Sequence, residues 1–166
     1  TARGKEVLNL FCYTGAVSVH AALGGAKKTV NVDLSRTYLE WAKDNFRLNY
    51  ITFSQHEFIQ ADVLQWIKEC AKKFDIIFLD PPSFSNSKRM TDTLDVQRDH
   101  ERLITDCVLH LKPAGILYFS TNFRKFKMSV EILGQFKVED ITAKTIDKDF
   151  ARDGKIHRCF AITAKS

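Results

Sequence analysis

Five short apolar runs, separated by longer stretches of helical spacing, restrict this chain to folds in which strand and helix alternate. The runs are Val7 to Phe11, Thr29 to Asp33, Glu57 to Gln60, Phe74 to Leu79 and Ile116 to Thr121. Strands of this kind, covered on both faces, belong in a mainly parallel sheet with helices above and below. Near the end, Ile141 to Ile146 and Arg158 to Thr163 have no helix-length segment between them. They are expected to pair as an antiparallel hairpin at one edge of a seven-stranded α/β sheet.

The intervening segments carry their own punctuation. Ser35 is placed to cap a helix in which Leu39, Ala42 and Phe46 make one stripe and Tyr38, Trp41 and Leu48 widen it. Asp62 precedes a second ladder of Val63, Leu64, Ile67, Cys70, Ala71 and Phe74. Leu103, Ile104, Cys107, Val108 and Leu111 mark a third, which Lys112-Pro113-Ala114-Gly115 should stop. Trp41 and Trp66 lie on these faces and are expected in the core. With no internal repeat or second core, residues 1–166 read as one domain. Thr1-Ala2-Arg3-Gly4-Lys5 lacks an initiator Met and runs almost directly into a strand, the expected look of a piece of a longer protein.

At 166 residues the chain can bury roughly two thirds of the surface its unfolded form exposes, enough for a full core. No apolar run approaches the ~20 residues that span a bilayer, so no membrane partner is expected. Lys and Arg outnumber Asp and Glu 25 to 20, a balance that favours polyanions without identifying one. Cys12, Cys70, Cys107 and Cys159 share no C-x-x-C spacing. Neither a zinc site nor a disulfide framework is expected, and reduced thiols in the cytoplasm are the default.

Four features fall just past the carboxyl ends of strands, where a doubly wound sheet places its ligands. In Asn9-Leu10-Phe11-Cys12-Tyr13-Thr14-Gly15, Gly15 permits close backbone approach and the following helix end favours a carboxylate. Asp33, about 20 residues on, can accept both ribose hydroxyls of a nucleoside cofactor, or begin the capping that Ser35 completes. Asp62 can contact an adenine amino group or serve only as a helix N-cap. The sharpest is Asp80-Pro81-Pro82-Ser83-Phe84, where two prolines stiffen the loop and remove backbone donors. Carbonyls and the Asp80 carboxylate are left to hold the polar edge of a planar base while Phe84 covers its face. A nicotinamide dehydrogenase shares the second-strand acid, but G-x-G-x-x-G is absent and the Asp80 loop has no hydride-transfer role.

These residues resemble class I methyltransferases. The blocks Asn9 to Gly15, Val17 to Ala22, Val32 to Ala42, Asp80 to Met90, Asp95 to His100 and Asp149 to Arg152 are similar to the C-terminal half of the bifunctional 23S ribosomal RNA guanine methyltransferases. The resemblance spans nearly the whole chain. It implies a Rossmann-like fold, S-adenosylmethionine as cofactor, large-subunit rRNA as partner before full assembly, and methyl transfer to guanine N7. It also implies cofactor contacts from Phe11, Tyr13, Thr14, Gly15, Asp33, Leu34, Ser35, Asp62, Val63 and Asp80. Base positioning and stacking fall to Asp80, Pro81, Pro82, Ser83 and Phe84, with no metal. Members of that family carry an enclosing loop and a separate N2-methylating half before the stretch matched here, which implies that RNA binding is shared with a preceding part.

The polar stretch Ser85-Asn86-Ser87-Lys88-Arg89-Met90-Thr91 can bind phosphates, and Arg98, His100, Arg124, Lys125, Lys127, Arg152, Lys155, His157 and Arg158 can extend the positive surface. Guanine N7 already carries a lone pair and needs no general base, so no proton transfer is assigned to His100 or His157. Phe119-Ser120-Thr121-Asn122 lacks the cysteine that cytosine C5 methylation requires. The Asp80 loop suits N2 or N7 of guanine alike, and the choice of N7 rests on the resemblance. Two other classes stay open: a methyltransferase acting on another base or on protein, and a noncatalytic RNA-binding module of the same fold.

Overall fold

A computed structural model describes residues 2–86, 93–146 and 156–165. The first half alternates strictly: β1 (Glu6–Leu10), α1 (Ala16–Leu23), β2 (Lys28–Asp33), α2 (Arg36–Leu48), β3 (His56–Gln60), α3 (Val63–Glu69) and β4 (Phe74–Leu79). Two short strands, β5 (Phe84–Ser85) and β6 (Leu94–Asp95), pair with each other ahead of α4 (Val96–Val108). Then come β7 (Leu111–Thr121), α5 (Val130–Gln135), β8 (Phe136–Asp140), the single turn α6 (Thr142–Thr145) and β9 (Arg158–Ala164). Seven strands form one sheet in the order β3-β2-β1-β4-β7-β9-β8, in which β9 alone runs against the rest.

The apolar runs become strands because both sheet faces are covered. Leu8, Leu10, Val30, Val32, Ile77 and Leu79 are fully buried, and each such side chain contributes roughly 1.5–3 kcal/mol relative to exposure. From β1 the chain order moves outward through β2 and β3, and from β4 it moves the opposite way. The reversal lies between β1 and β4, the place where open α/β sheets leave a crevice beyond their carboxyl ends.

Several expectations need correction. The antiparallel partner of β9 is Phe136–Asp140, not Ile141 to Ile146. Asp140 Oδ1 accepts the Thr142 N–H at 2.9 Å and starts a helical turn, so 141–146 leaves the sheet. The antiparallel pair does lie at one edge of the sheet, as expected. Cys159, Phe160 and Ile162 are buried, so β9 takes the interior position, and the half-buried β8 takes the edge. Cys70 ends α3 as its C-cap, while Phe74 and Leu111 belong to strands. Lys112 to Gly115 forms an irregular start to β7 with Ala114 at φ 60°, the helix having ended at Val108. On α2 only Leu39, Ala42 and Phe46 are buried. Trp41 is 47% exposed, with Tyr38 and Leu48 also outside the core, whereas Trp66 packs against it.

Gly15 separates α1 from the turn after β1 with φ 71°, and a Cβ built there would stand 2.8 Å from the Ala42 Cβ. The close approach it permits is therefore between turn and helix α2. We predict that Gly15→Ala loses about 2–4 kcal/mol, combining left-handed strain with overpacking. Denaturant melts measure it, and a loss below about 1 kcal/mol would show that α2 yields freely.

Candidate active site

The carboxyl ends of five parallel strands open into one cavity of about 620 Å³. Phe11 and Tyr13 follow β1, Asp33, Leu34 and Ser35 follow β2, and Asp62 and Val63 follow β3. Asp80, Pro81, Pro82 and Ser83 follow β4. All eleven were expected at the site from the sequence. Three further lining residues were not: Tyr38, Ser85 and Asn122.

The turn after β1 holds two non-glycine residues in the left-handed region, Phe11 at φ 54° and Tyr13 at φ 47°. Such backbone costs of order 1–3 kcal/mol per residue and persists only where surrounding bonds impose it. Here the Cys12 N–H donates to Val32 O at 3.2 Å, and the Gly15 N–H donates to Cys12 O at 2.8 Å. Asn45 Nδ2 donates to Thr14 O at 2.8 Å. Asp33 completes the set, Oδ2 accepting the Tyr13 N–H at 3.0 Å and Oδ1 the Ser35 N–H at 2.9 Å. Thr14 and Gly15 do not border the cavity; they build the turn beneath it.

Burial pushes the Asp33 carboxyl above the ordinary carboxylate range, and the N–H groups of Ser35, Tyr13 and Leu34 offset part of that. A carboxylate has about four lone-pair positions, so two N–H bonds leave capacity for hydroxyl donors. Asp62 caps α3 through Oδ1, which accepts the Leu64 N–H at 3.0 Å. Capping and cavity lining are thus compatible roles for one side chain. Leu34, Val63 and Phe11 supply apolar wall between these acids. An adenosine moiety, with donor hydroxyls and amino group and a flat apolar ring, fits that donor and wall pattern.

Asp80 is half-buried and also raised, chiefly by burial, with the Ser120 hydroxyl bond and the His157 charge acting the other way. Pro81 is buried and anchors the loop, whereas Phe84 is 61% exposed between the lining residues Ser83 and Ser85. Phe84 borders no part of the cavity itself. Cys12 is the cysteine nearest the turn, and burial followed by the Asp33 charge pushes its thiol up to about 12. It is a packed thiol, poorly suited to nucleophilic attack at neutral pH. Among the described residues no group of three His, Cys, Asp or Glu side chains is placed to hold a metal ion.

Tyr38 escaped sequence reasoning because its helical spacing matched the apolar stripe. Its ring instead meets Tyr13 edge-on at 4.6 Å, on the cavity side of α2. Asn122 follows β7, a position read only for a missing cysteine. The stretches Ser87 to Thr91 and Asp149 to Arg152, together with Lys155, lie outside the described residues.

A doubly wound sheet with acids at three strand ends and a proline-stiffened loop on one cavity is the arrangement expected of a domain that holds a nucleoside cofactor. Residues 1–130 match the S-adenosylmethionine-dependent methyltransferase family, and the chain belongs to that family, with S-adenosylmethionine as its cofactor. The ribosomal RNA large subunit methyltransferase K/L of Legionella pneumophila (strain Lens) is 59% identical over 160 residues, 96% of this chain and 22% of the relative. That of Saccharophagus degradans is 55% identical over 161 residues, 97% of this chain and 21% of the relative. The chain thus spans about a fifth of the length of these curated relatives. The crystal structure of SMU.776 complexed with SAH aligns with a TM-score of 0.81 at 30% identity, covering 98% of this chain and 46% of that one. The T. thermophilus 16S rRNA N2 G1207 methyltransferase in complex with AdoMet and guanosine shares the fold, with a TM-score of 0.70 at 19% identity over 99% of this chain and 38% of that one.

Two predictions follow from the acids. We expect Asp33→Ala to weaken S-adenosylmethionine binding by about 1.5–3 kcal/mol, roughly ten- to a hundred-fold, as a charged hydrogen bond is lost. Calorimetry on the folded variant checks this, and unchanged affinity removes Asp33 from the cofactor. The raised Asp80 carboxyl means that the folded state binds its proton more tightly than the unfolded chain does. Stability therefore falls as pH rises from about 4 through the raised value, and is highest below that window as far as this group is concerned. Asp80→Asn should flatten that fall and be no less stable at neutral pH. Melts across pH test it; an unaltered slope assigns the dependence to other groups.

Proposed function

We propose that this chain transfers a methyl group from S-adenosylmethionine to N7 of a guanine in 23S ribosomal RNA. The observation that carries the reading is that the Asp80-Pro81-Pro82-Ser83 loop and the Asp33, Ser35 and Asp62 set line one cavity. A flat acceptor entering over the proline loop would meet the reacting end of a cofactor held by those acids. The ribosomal RNA large subunit methyltransferases K/L, more than half identical across nearly the whole chain, support the RNA and its subunit. The choice of N7 over N2 rests on family resemblance.

Bound S-adenosylmethionine supplies an electrophilic methyl group. The chain's own residues then have three tasks. Asp33, Ser35 and Asp62 fix the nucleoside end, so that proximity and alignment supply most of the acceleration. Pro81 and Pro82 hold Asp80 and the loop carbonyls in place, where their negative charge eases the cation formed on a guanine alkylated at N7. Phe84, exposed on the loop between the lining residues Ser83 and Ser85, would cover the base once it is out of its stack. No group has to remove a proton. Both ring nitrogens of buried His100 are occupied, by Gln97 O at 2.8 Å and the Ser129 N–H at 3.1 Å, and His157 Nε2 lies 2.8 Å from Thr145 Oγ1.

The N7 edge in A-form RNA faces a deep, narrow groove, so the target base must be single-stranded, opened or flipped. That favours large-subunit RNA before assembly is complete, in the cytoplasm, with further RNA contacts from the parts of the longer relatives outside this stretch. No helix among the described residues is long and apolar enough to cross a membrane.

We predict N7-methylguanosine in the nucleoside digest and strand cleavage at one guanosine after borohydride and aniline treatment. Incompletely folded large-subunit RNA should be a better substrate than the mature subunit. Phe84→Ala should lower turnover more than cofactor affinity. N2-methylguanosine or 5-methylcytidine without such cleavage would overturn the assignment.

A further inference from the structure

The connection from β7 to α5 starts at the cavity and is held at several points. Asn122 lines the cavity, and the Phe123 N–H donates to Thr121 Oγ1 at 3.2 Å. Phe126 is buried and lies edge-on to the His100 ring at 4.9 Å. Gln97 then grips the next residue twice, Nε2 donating to Lys127 O at 2.9 Å and Oε1 accepting the Lys127 N–H at 2.9 Å. His100 takes the Ser129 N–H on Nε2. With His100 Nδ1 also 2.8 Å from Gln97 O, α4 holds this connection through both residues.

The grip also places the connection. Gln97 follows Val96, whose N–H donates to Ser83 O at 3.0 Å, and Phe84 pairs with Asp95. One end of residues 122–127 therefore borders the cavity, and the other is bonded to the segment that backs the Ser83–Phe84 loop. Arg124, Lys125 and Lys127 are exposed on it. Neighbouring cations are committed elsewhere, Arg98 to Asp99, Arg158 to Asp140 and Lys144 to Glu139. No ion pair among the described residues engages the Lys125 or Lys127 ammonium group.

We propose that residues 122–127 are a rigid rail for the RNA backbone beside the target base, with Lys125 and Lys127 binding phosphates. The proposal rests on the RNA reading above and deepens it. A pinned backbone loses little entropy on binding, so two ammonium groups held at one side of the mouth can set the register of the strand as well as its affinity.

The test is binding of a large-subunit rRNA transcript across a series of KCl concentrations, with methylation of the same transcript measured separately. Each lost phosphate contact on single-stranded RNA makes the slope of log affinity against log salt shallower by about 0.7. Lys125→Ala/Lys127→Ala should therefore flatten the slope by about 1.4 and bind several-fold more weakly at low salt, with S-adenosylmethionine affinity unchanged. The control is Lys5→Ala/Lys27→Ala, which removes the same charge at the amino end of the sheet, away from the cavity. Its slope should match the parent's. An unaltered slope in the rail variant, equal flattening in the control, or no salt-dependent RNA binding by the parent overturns the rail. Rail-dependent binding without methyl transfer to the transcript leaves the rail standing and overturns the catalytic reading instead.

Discussion

The buried carboxylate of Asp33 ties the turn after β1 to the turn after β2 through one oxygen each. Two consequences depend on that pair of bonds. Tyr13 stays in a left-handed conformation that its side chain disfavours, and α2 starts at a fixed place relative to β1, with Ser35 capping it by accepting the Tyr38 N–H. The cost is a desolvated acid. It is tolerable because the N–H donors replace part of the lost water, and because Asp33 borders the cavity rather than being sealed in the core. The atoms that tie the two turns together belong to a residue that also borders the cavity.

The fold was largely legible because the strands of this sheet are covered on both sides. A segment such as Val30 to Asp33 must be apolar throughout, and that signal needs no knowledge of its neighbours. Legibility fails where burial is one-sided. Phe136–Asp140 shows polar residues at every exposed position of an edge strand, while the apolar residues around Ile141 serve a helical turn. Trp41 and Tyr38 were misread for a related reason. Helical spacing reports which residues share a face, and that face reaches past the core onto the rim of the cavity.

The site was legible to the extent that chemistry sits at strand ends. Asp33, Asp62 and Asp80 each end a strand or its loop, where an acid stands out against an apolar run. Tyr38 and Asn122 reach the cavity from elements whose own pattern is silent about direction. Gly15 was read for closeness of backbone, and one such approach is to Ala42 of α2. Such partners are set by how two helices pack and are not encoded in any short motif.

The interior position of β9 governs the order in which the sheet can be completed. Until Arg158–Ala164 is in place, β7 has an unpaired flank and β8 has no sheet neighbour, because β9 bonds to both. A chain emerging amino end first would hold the Asp33 cradle, built entirely within the first 48 residues, well before its last strand is made. Over that interval the open flank of β7 offers Leu117 and Phe119 to any extended segment nearby. Aggregation risk during synthesis is thus concentrated at one edge, and a single late strand of seven residues closes it.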